Sequence, residues 1–275
     1  AYEMTSSLVG SEMCIRDRYK GGNFMAYFEH DFEIGLRDIE NPNYLSNKSI
    51  LAFFENIGSY HSDSINFGLN EIPTTHSSWV LLGWKVKILK RPMYGDKLHI
   101  VTWARDTEKF STYRDYEVYN QDNELVIIGT SKWVLIDTTT GRLRPIPEEI
   151  IKLYNPDTKT VFPSEEALLT KLTDSEHYDT VCNCTVGRSQ IDLNNHMHNL
   201  YYLDMAYEAL PEEVYKNNTF NFFEITYKKQ IRLHDTVKCY YVFEENTHKV
   251  IIKSLDDKKT HAIITVSYTH LTLPT

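Results

Sequence analysis

From Ser78 to Ile88 apolar and polar residues take turns: Val80, Leu82, Trp84, Val86 and Ile88 fall on one side, Gly83, Lys85 and Lys87 on the other. Alternation at period two predicts a strand with one buried face. Three more such runs follow, Lys97 to Arg105, Ser111 to Asn120 and Glu124 to Ile136, with turn-forming clusters at Arg91 to Asp96, Gln121 to Asn123 and Thr138 to Gly141. Strands joined by short turns make an antiparallel meander. Ahead of it come a strand-like run, Phe24 to Ile34, and a turn-rich stretch, Asp38 to Asn43; then the period changes. Between Ser46 and about Ile65 the residues Ile50, Phe53, Phe54, Ile57 and His61 share one helical face, so a helix buried along that stripe is predicted. Gly58 weakens this helix taken alone, and its missing side chain lets a sheet come close.

Arg144 to Glu176 carries Pro145, Pro147, Pro156 and Pro163 and no long period, which marks a connector with room for a short helix at Glu148 to Tyr154. Beyond it the order of elements repeats. A strand at Tyr178 to Ser189 leads to a polar stretch and a helix from Asn199. Strands follow at Phe220 to Leu233, Thr236 to Glu244, Lys249 to Leu255 and from Lys259 onward. The strongest internal match sets Trp84–Asp96 on Phe223–Asp235, a shift of 139 residues that brings Lys90 onto Lys229 and Gly95-Asp96 onto His234-Asp235. Periodicity by itself predicts an α+β protein, and the repeated order of elements predicts two tandem units in which a sheet can wrap the helix.

The chemistry concentrates in Asp192-Leu193-Asn194-Asn195-His196-Met197-His198-Asn199. If this stretch is extended, Asp192, Asn194 and His196 project to one side, just before the free N–H groups of a helix. A carboxylate can orient an imidazole, an imidazole can take a proton from water near neutral pH, and a helix N-terminus can hold an oxyanion. Asp and Asn before a helix also serve as simple caps. Other chemistries compete weakly. His196, His198 and Asp192 lack a further well-spaced imidazole for a metal, so no metal site is expected. A Cys–His nucleophile would need Cys239 beside His196. There is no phosphate-cradling Gly loop and no Gly-x-Ser-x-Gly elbow.

Asp192-x-Asn194-x-His196, with Asn199 and Tyr202 beyond it, resembles the active-site signature of the acyl-ACP thioesterases, and a weaker resemblance runs over residues 24 to 265. The resemblance implies two tandem hotdog domains, no cofactor, and hydrolysis of a fatty acyl thioester on acyl carrier protein. It implies that Asp192, Asn194 and His196 form the polar cluster, with helix N–H groups near Asn199 polarising the carbonyl. Family members use a Glu as general base on the strand after the catalytic helix; Gln230 stands there in this sequence. An amide cannot take a proton at neutral pH, so His196 is expected to be the base, with a rate that rises near the ordinary His value of about 6.5. An acidic carrier protein would dock on Lys228, Lys229 and Arg232, whose plainer role is a solvated strand edge. Only the second unit carries the full set, since Asp38-Ile39-Glu40-Asn41-Pro42 lacks a His. An acyl-CoA thioesterase and a non-catalytic acyl-binding protein remain open.

Composition narrows the partners. The 275 residues are 41% hydrophobic and 13% aromatic, with formal charge −9 and a pI near 5.7, which argues for a folded protein and against nucleic-acid binding. No apolar run approaches the roughly 20 residues of a membrane span and no signal peptide opens the chain, so a cytoplasmic protein without membrane attachment is expected. Pairing as a homodimer is left open. Residues 1–18 and 266–275 resemble translated sequencing adapter and are read as non-native tails, leaving an N-terminal domain over 19–143, a linker over 144–176 and a C-terminal domain over 177–265. Cys182 and Cys184, two apart on a strand, are poorly placed to bridge each other, and with Cys239 they suggest reduced thiols without structural zinc.

Overall fold

The computed structural model describes residues 26–217 and 219–268. The proposed adapter residues 1–18 and 269–275 lie outside them. In the first half come β1 (Tyr27–Glu33), α1 (Asn47–Ser64), a single turn α2 (Ile72–Thr75), then β2 (Ser77–Ile88), β3 (Lys97–Thr107), β4 (Ser111–Tyr119) and β5 (Leu125–Asp137). The connector contains α3 (Glu148–Tyr154). The second half has β6 (Thr180–Thr185), α4 (Tyr201–Ala209), α5 (Glu212–Asn217), β7 (Phe222–Tyr227), β8 (Thr236–Glu244), β9 (Thr247–Ser254) and β10 (Thr260–Ser267). Val266 and Ser267, counted in the sequence as tail, complete β10 opposite Phe223 and Phe222.

These ten strands join one antiparallel sheet in the order β1-β3-β4-β5-β2-β7-β10-β9-β8-β6, and Ile39–Glu40 pairs with Tyr44–Leu45 in a separate two-stranded ribbon. Read outward from the middle, both halves run second, fifth, fourth, third, first strand, so the predicted repeat is a repeat of topology. The register locates its axis. Across β2 and β7, Trp84 faces Ile225, Lys85 faces Glu224 and Val86 faces Phe223. A shift of 139 carries Lys85 onto Glu224 and Trp84 onto Phe223, so the pseudo-twofold axis passes through the Lys85–Glu224 pair. The matched turns agree in detail: Met93 N donates to Asp96 Oδ2 at 2.9 Å, and Arg232 N donates to Asp235 Oδ2 at 2.9 Å. Gly95 and His234, at the same place in each turn, both take positive φ.

Each half is a hotdog domain, with a helix against the concave side of its sheet. Ser46 caps α1 by accepting from Ser49 N at 3.0 Å, and the predicted stripe Ile50, Phe53, Phe54, Ile57 and His61 is buried. Phe54 stacks on Tyr116 with centroids 4.2 Å apart, and Gly129 on β5 makes room for it: a Cβ there would sit 2.5 Å from the Phe54 ring. One apolar core runs through both halves, joining Phe54 and Trp84 to Leu203, Phe223 and Ile264. The connector straps the opposite face of the sheet. Lys85 and Glu224 point into it, with side chains 5% and 8% exposed and Nζ 3.3 Å from Oε1. Lys85 Nζ donates to the carbonyls of Glu166 and Leu168, and Glu224 Oε1 accepts from Thr170 N and Oγ1. No helix among the described residues is long and apolar enough to cross a membrane.

Three sequence-based bounds shift, for local reasons. The strand expected to reach Ser189 stops at Thr185, because Gly187–Gln190 turns on a bond from Gly187 N to Gln190 Oε1. The strand expected to reach Leu233 stops at Tyr227, where Lys228 N and Lys229 N both turn to the His261 carbonyl. The second helix starts at Tyr201 and is broken by Leu210-Pro211, so it is half the length of α1.

Candidate active site

The Asp192 stretch is a tight turn and not the extended run that would align three side chains. Ile191 bridges Met197, Asp192 N donates to the His196 carbonyl at 2.8 Å, and Asn195 takes positive φ. The Asp192 carboxylate holds the turn from inside: Oδ1 accepts from Asn194 N at 2.8 Å and from His196 N at 3.2 Å. Its side chain does the job that a strand partner would otherwise do, which is why alternation fails here. The first half builds the same loop without the chemistry. Tyr44 bridges Met93 as His196 bridges Arg232, so Tyr44 occupies the place of His196 and Glu40 that of Asp192.

A cavity of about 260 Å³ opens beside this turn. Asp192, Asn194, His198 and Asn199 line it from the second half, and Glu55, Gly58 and Ser62 from α1 of the first. It then runs beneath β2, β4 and β5 to Trp79, Arg114, Trp133 and the apolar face of α3. Glu55 sits where the two halves meet, its side chain 19% exposed and its Oε2 3.5 Å from His198 Nε2. Burial, with the Asp192 carboxylate second, pushes the Glu55 acid up to about 8. Burial also lowers His198 below the usual imidazole range. Leu200 N donates to His198 Nδ1 at 3.4 Å, so in the neutral ring the proton sits on Nε2, facing Glu55.

The expected site residues divide. Asp192, Asn194 and Asn199 reach the cavity. His196 is half-buried, is not among the residues lining the cavity, and keeps a buried Nδ1 with no hydrogen-bond partner among the described residues. Gln230 is exposed on the loop after β7, where its carbonyl meets His261 Nδ1 at 3.1 Å. Lys228, Lys229 and Arg232 are exposed on that same loop, with Arg232 bridged to His196. Three of the N–H groups near Asn199 expected to polarise a carbonyl have other partners: Leu200 N has His198 Nδ1, Tyr201 N the His198 carbonyl and Tyr202 N that of Asn199. Glu55 and His198 were missed by the sequence reading. The signal for Glu55 is an acid beside Phe54 at the edge of an otherwise apolar stripe; His198 lies inside the motif, where its spacing suggests only a metal ligand.

The thiols among the described residues lie away from the cavity. Cys239 faces Cys182 across β8 and β6, and with Cys184 the three sulfurs fall within 4.8 Å of one another. Cross-strand register brings together what separation in sequence hides.

Comparison with known proteins follows the same division into halves. Residues 25–154 match the model of the acyl-ACP thioesterase N-terminal domain, and residues 173–270 that of the acyl-ACP thioesterase C-terminal domain. The chain is 23% identical over 225 residues to oleoyl-acyl carrier protein thioesterase 1, chloroplastic, of Arabidopsis thaliana, covering 76% of this chain and 62% of that one. It is 27% identical over 156 residues to a chloroplastic palmitoyl-acyl carrier protein thioesterase of Gossypium hirsutum, covering 55% and 38%. The chain spans about three fifths of the length of the first of these relatives. Among solved structures, an acyl-ACP thioesterase from Bacteroides thetaiotaomicron superposes with a TM-score of 0.77 at 18% identity over 88% of this chain and 97% of that one. The 12:0-ACP thioesterase from Umbellularia californica gives 0.77 at 18% over 90% and 98%. These two share the fold, and with both of its halves matched in order the chain belongs to the acyl-ACP thioesterase family.

Proposed function

We propose that the chain hydrolyses the thioester of a fatty acyl chain carried on acyl carrier protein. The observation that carries this reading is the cavity shared by the two halves, with the Asp192 turn and Glu55 at its mouth and a long interior under the first sheet. An acyl chain inside it leaves the thioester between Glu55 and the amides of Asn194 and Asn199, and directs the carrier arm outward. Ionised Glu55, oriented by His198 Nε2–H, takes a proton from water as the water oxygen attacks the carbonyl carbon. The side-chain amides of Asn194 and Asn199 receive the oxyanion, since the N–H groups of Leu200, Tyr201 and Tyr202 are occupied. The C–S bond then breaks as protonated Glu55 hands the proton taken from water to the leaving sulfur, which restores its carboxylate; His196, on the outer side of the turn beside Arg232, stays apart from the reacting atoms. Asp192 acts by holding the turn. In this reading Gln230 is too exposed to activate water. Lys228, Lys229 and Arg232 meet the acidic carrier protein at the exit.

Hydrolysis of acyl-ACP and acyl-CoA, measured in parallel over a range of chain lengths, tests the reading. Acyl-ACP should be favoured in kcat/KM by about tenfold or more. Equal rates on acyl-CoA would make the chain an acyl-CoA thioesterase, and bound acyl ligand without turnover would make it a binding protein.

A further inference from the structure

The inner half of the cavity differs from a slot for plain hydrocarbon. Arg114 on β4 is 7% exposed, yet its guanidinium lines the cavity. Only Nη1 is engaged, 3.0 Å from His61 Nδ1 and 3.2 Å from Thr102 Oγ1. Among the described residues its other nitrogens have no hydrogen-bond partner, and no carboxylate comes within ion-pair distance. The acid next to it, Asp115, is turned to the other face of β4, where it binds Thr130 Oγ1 and Val161 N and lies 3.6 Å from Arg105. His61 supplies no countercharge, because burial and Arg114 itself hold its imidazole down at about 2.

The neighbouring polar groups are closed among themselves. Trp79 Nε1 donates to Tyr154 OH at 3.0 Å, Tyr154 OH bonds Ser62 Oγ at 2.7 Å, and Ser62 Oγ donates to the Gly58 carbonyl at 3.1 Å. What remains is a guanidinium whose carbon lies over the Tyr154 ring, 5.5 Å from its centroid, and whose Nε and Nη2 donors are left to the cavity, where such a group pairs best with an oxygen acceptor. A ring face and two neutral acceptors compensate a buried charge only in part, so a ligand oxygen that completes its hydrogen bonds gains more here than in water.

Its depth can be read from α1. Arg114 Nε lies 3.9 Å from where a Cβ on Gly58 would be, and Nη1 reaches His61. These positions are three and six residues beyond Glu55, or about 4.5 to 9 Å at about 1.5 Å per residue. An extended chain advances about 1.3 Å per carbon, which sets the contact near the third to seventh carbon, roughly.

We propose that the cavity is built for an acyl chain bearing an oxygen acceptor (a hydroxyl, oxo or carboxylate group) a few carbons from the thioester, and that Arg114 is the residue that recognises it. The proposal rests on the acyl-thioester reading and adds the substrate class.

Because Trp79 and Trp133 line the cavity, ligand binding is readable by intrinsic fluorescence. The probes are non-hydrolysable pantetheine thioethers: S-octyl, S-(3-hydroxyoctyl), S-(6-hydroxyoctyl) and S-(5-carboxypentyl). In the wild-type chain at least one oxygenated probe should bind about tenfold or more tighter than S-octyl, and the hydroxyl and carboxylate arms distinguish which group is preferred. Arg114→Met should erase that advantage and Arg114→Lys restore part of it. S-octyl binding as tightly as every oxygenated probe to wild type overturns the proposal while leaving the acyl reading in place, and needs no variant to fold. Binding of none of the four overturns both.

Discussion

Glu55→Gln should change how stability depends on pH. A carboxyl raised from 4.5 to about 8 in the folded chain keeps its proton over a range in which the unfolded chain has lost it. The folded state therefore binds more protons between those values, and stability falls as pH rises through that window. At about 1.4 kcal/mol per unit the full shift corresponds to about 5 kcal/mol. The carboxyl retains 19% exposure, so about 3 to 5 kcal/mol is expected from pH 5 to pH 9. Glutamine cannot ionise. Urea denaturation at a series of pH values, followed by tryptophan fluorescence, should therefore show wild type losing stability relative to the variant by that amount, with most of the divergence below pH 8. Other titrating groups cancel in the difference. Asp192→Asn should shrink the divergence, because the Asp192 charge is the second cause of the shift. Stability curves for wild type and Glu55→Gln that stay within 1 kcal/mol of parallel would refute the buried-acid argument.

Turnover offers independent checks. The pH profile of kcat/KM should climb through about 8, as Glu55 ionises, and a limb at the ordinary imidazole value of about 6.5 would return the base to a histidine. His196→Ala should leave hydrolysis within about tenfold with the fold intact by circular dichroism, because the ring lies off the cavity; a loss of roughly 100-fold or more would return it to the reaction. Gln230→Glu should leave the rate within a few-fold, and a large gain would show that the exposed loop folds inward on substrate. Gly129→Ala should cost about 1 to 3 kcal/mol in urea denaturation by pushing the Phe54 ring off Tyr116, with Phe54→Leu in the same chain recovering part of it.

The sequence carried most of the architecture, because strands with one buried face and a helix with one buried stripe announce themselves by period. Glu148 to Tyr154 is legible even among prolines, and the match of Trp84–Asp96 to Phe223–Asp235 pairs corresponding segments of the two halves, though the register in which their strands meet shows only in the structure. What stayed hidden depends on contacts distant in the chain. Glu55 meets His198 only because α1 and the Asp192 turn come from different halves, and Arg114 meets His61 only across a helix–sheet interface. The motif was readable as a string, but not its shape: Asp192 closes a turn on its own backbone, which sends His196 away from the cavity that Asn194 and His198 line.

The pair on the pseudo-twofold axis also restricts which halves can stand side by side. In an assembly with true twofold symmetry the residue on the axis meets its own copy. Two first halves placed edge to edge would bury Lys85 against Lys85, and two second halves Glu224 against Glu224, each with like charges about 4 Å apart at a cost of about 4 kcal/mol. Lys85 against Glu224 avoids both. The same contact can form within one chain or by exchange of halves between two chains, so the charges work as an address written at the seam. With like-to-like pairing disfavoured, the half that carries α1 and the half that carries the Asp192 turn can diverge in sequence and still find each other.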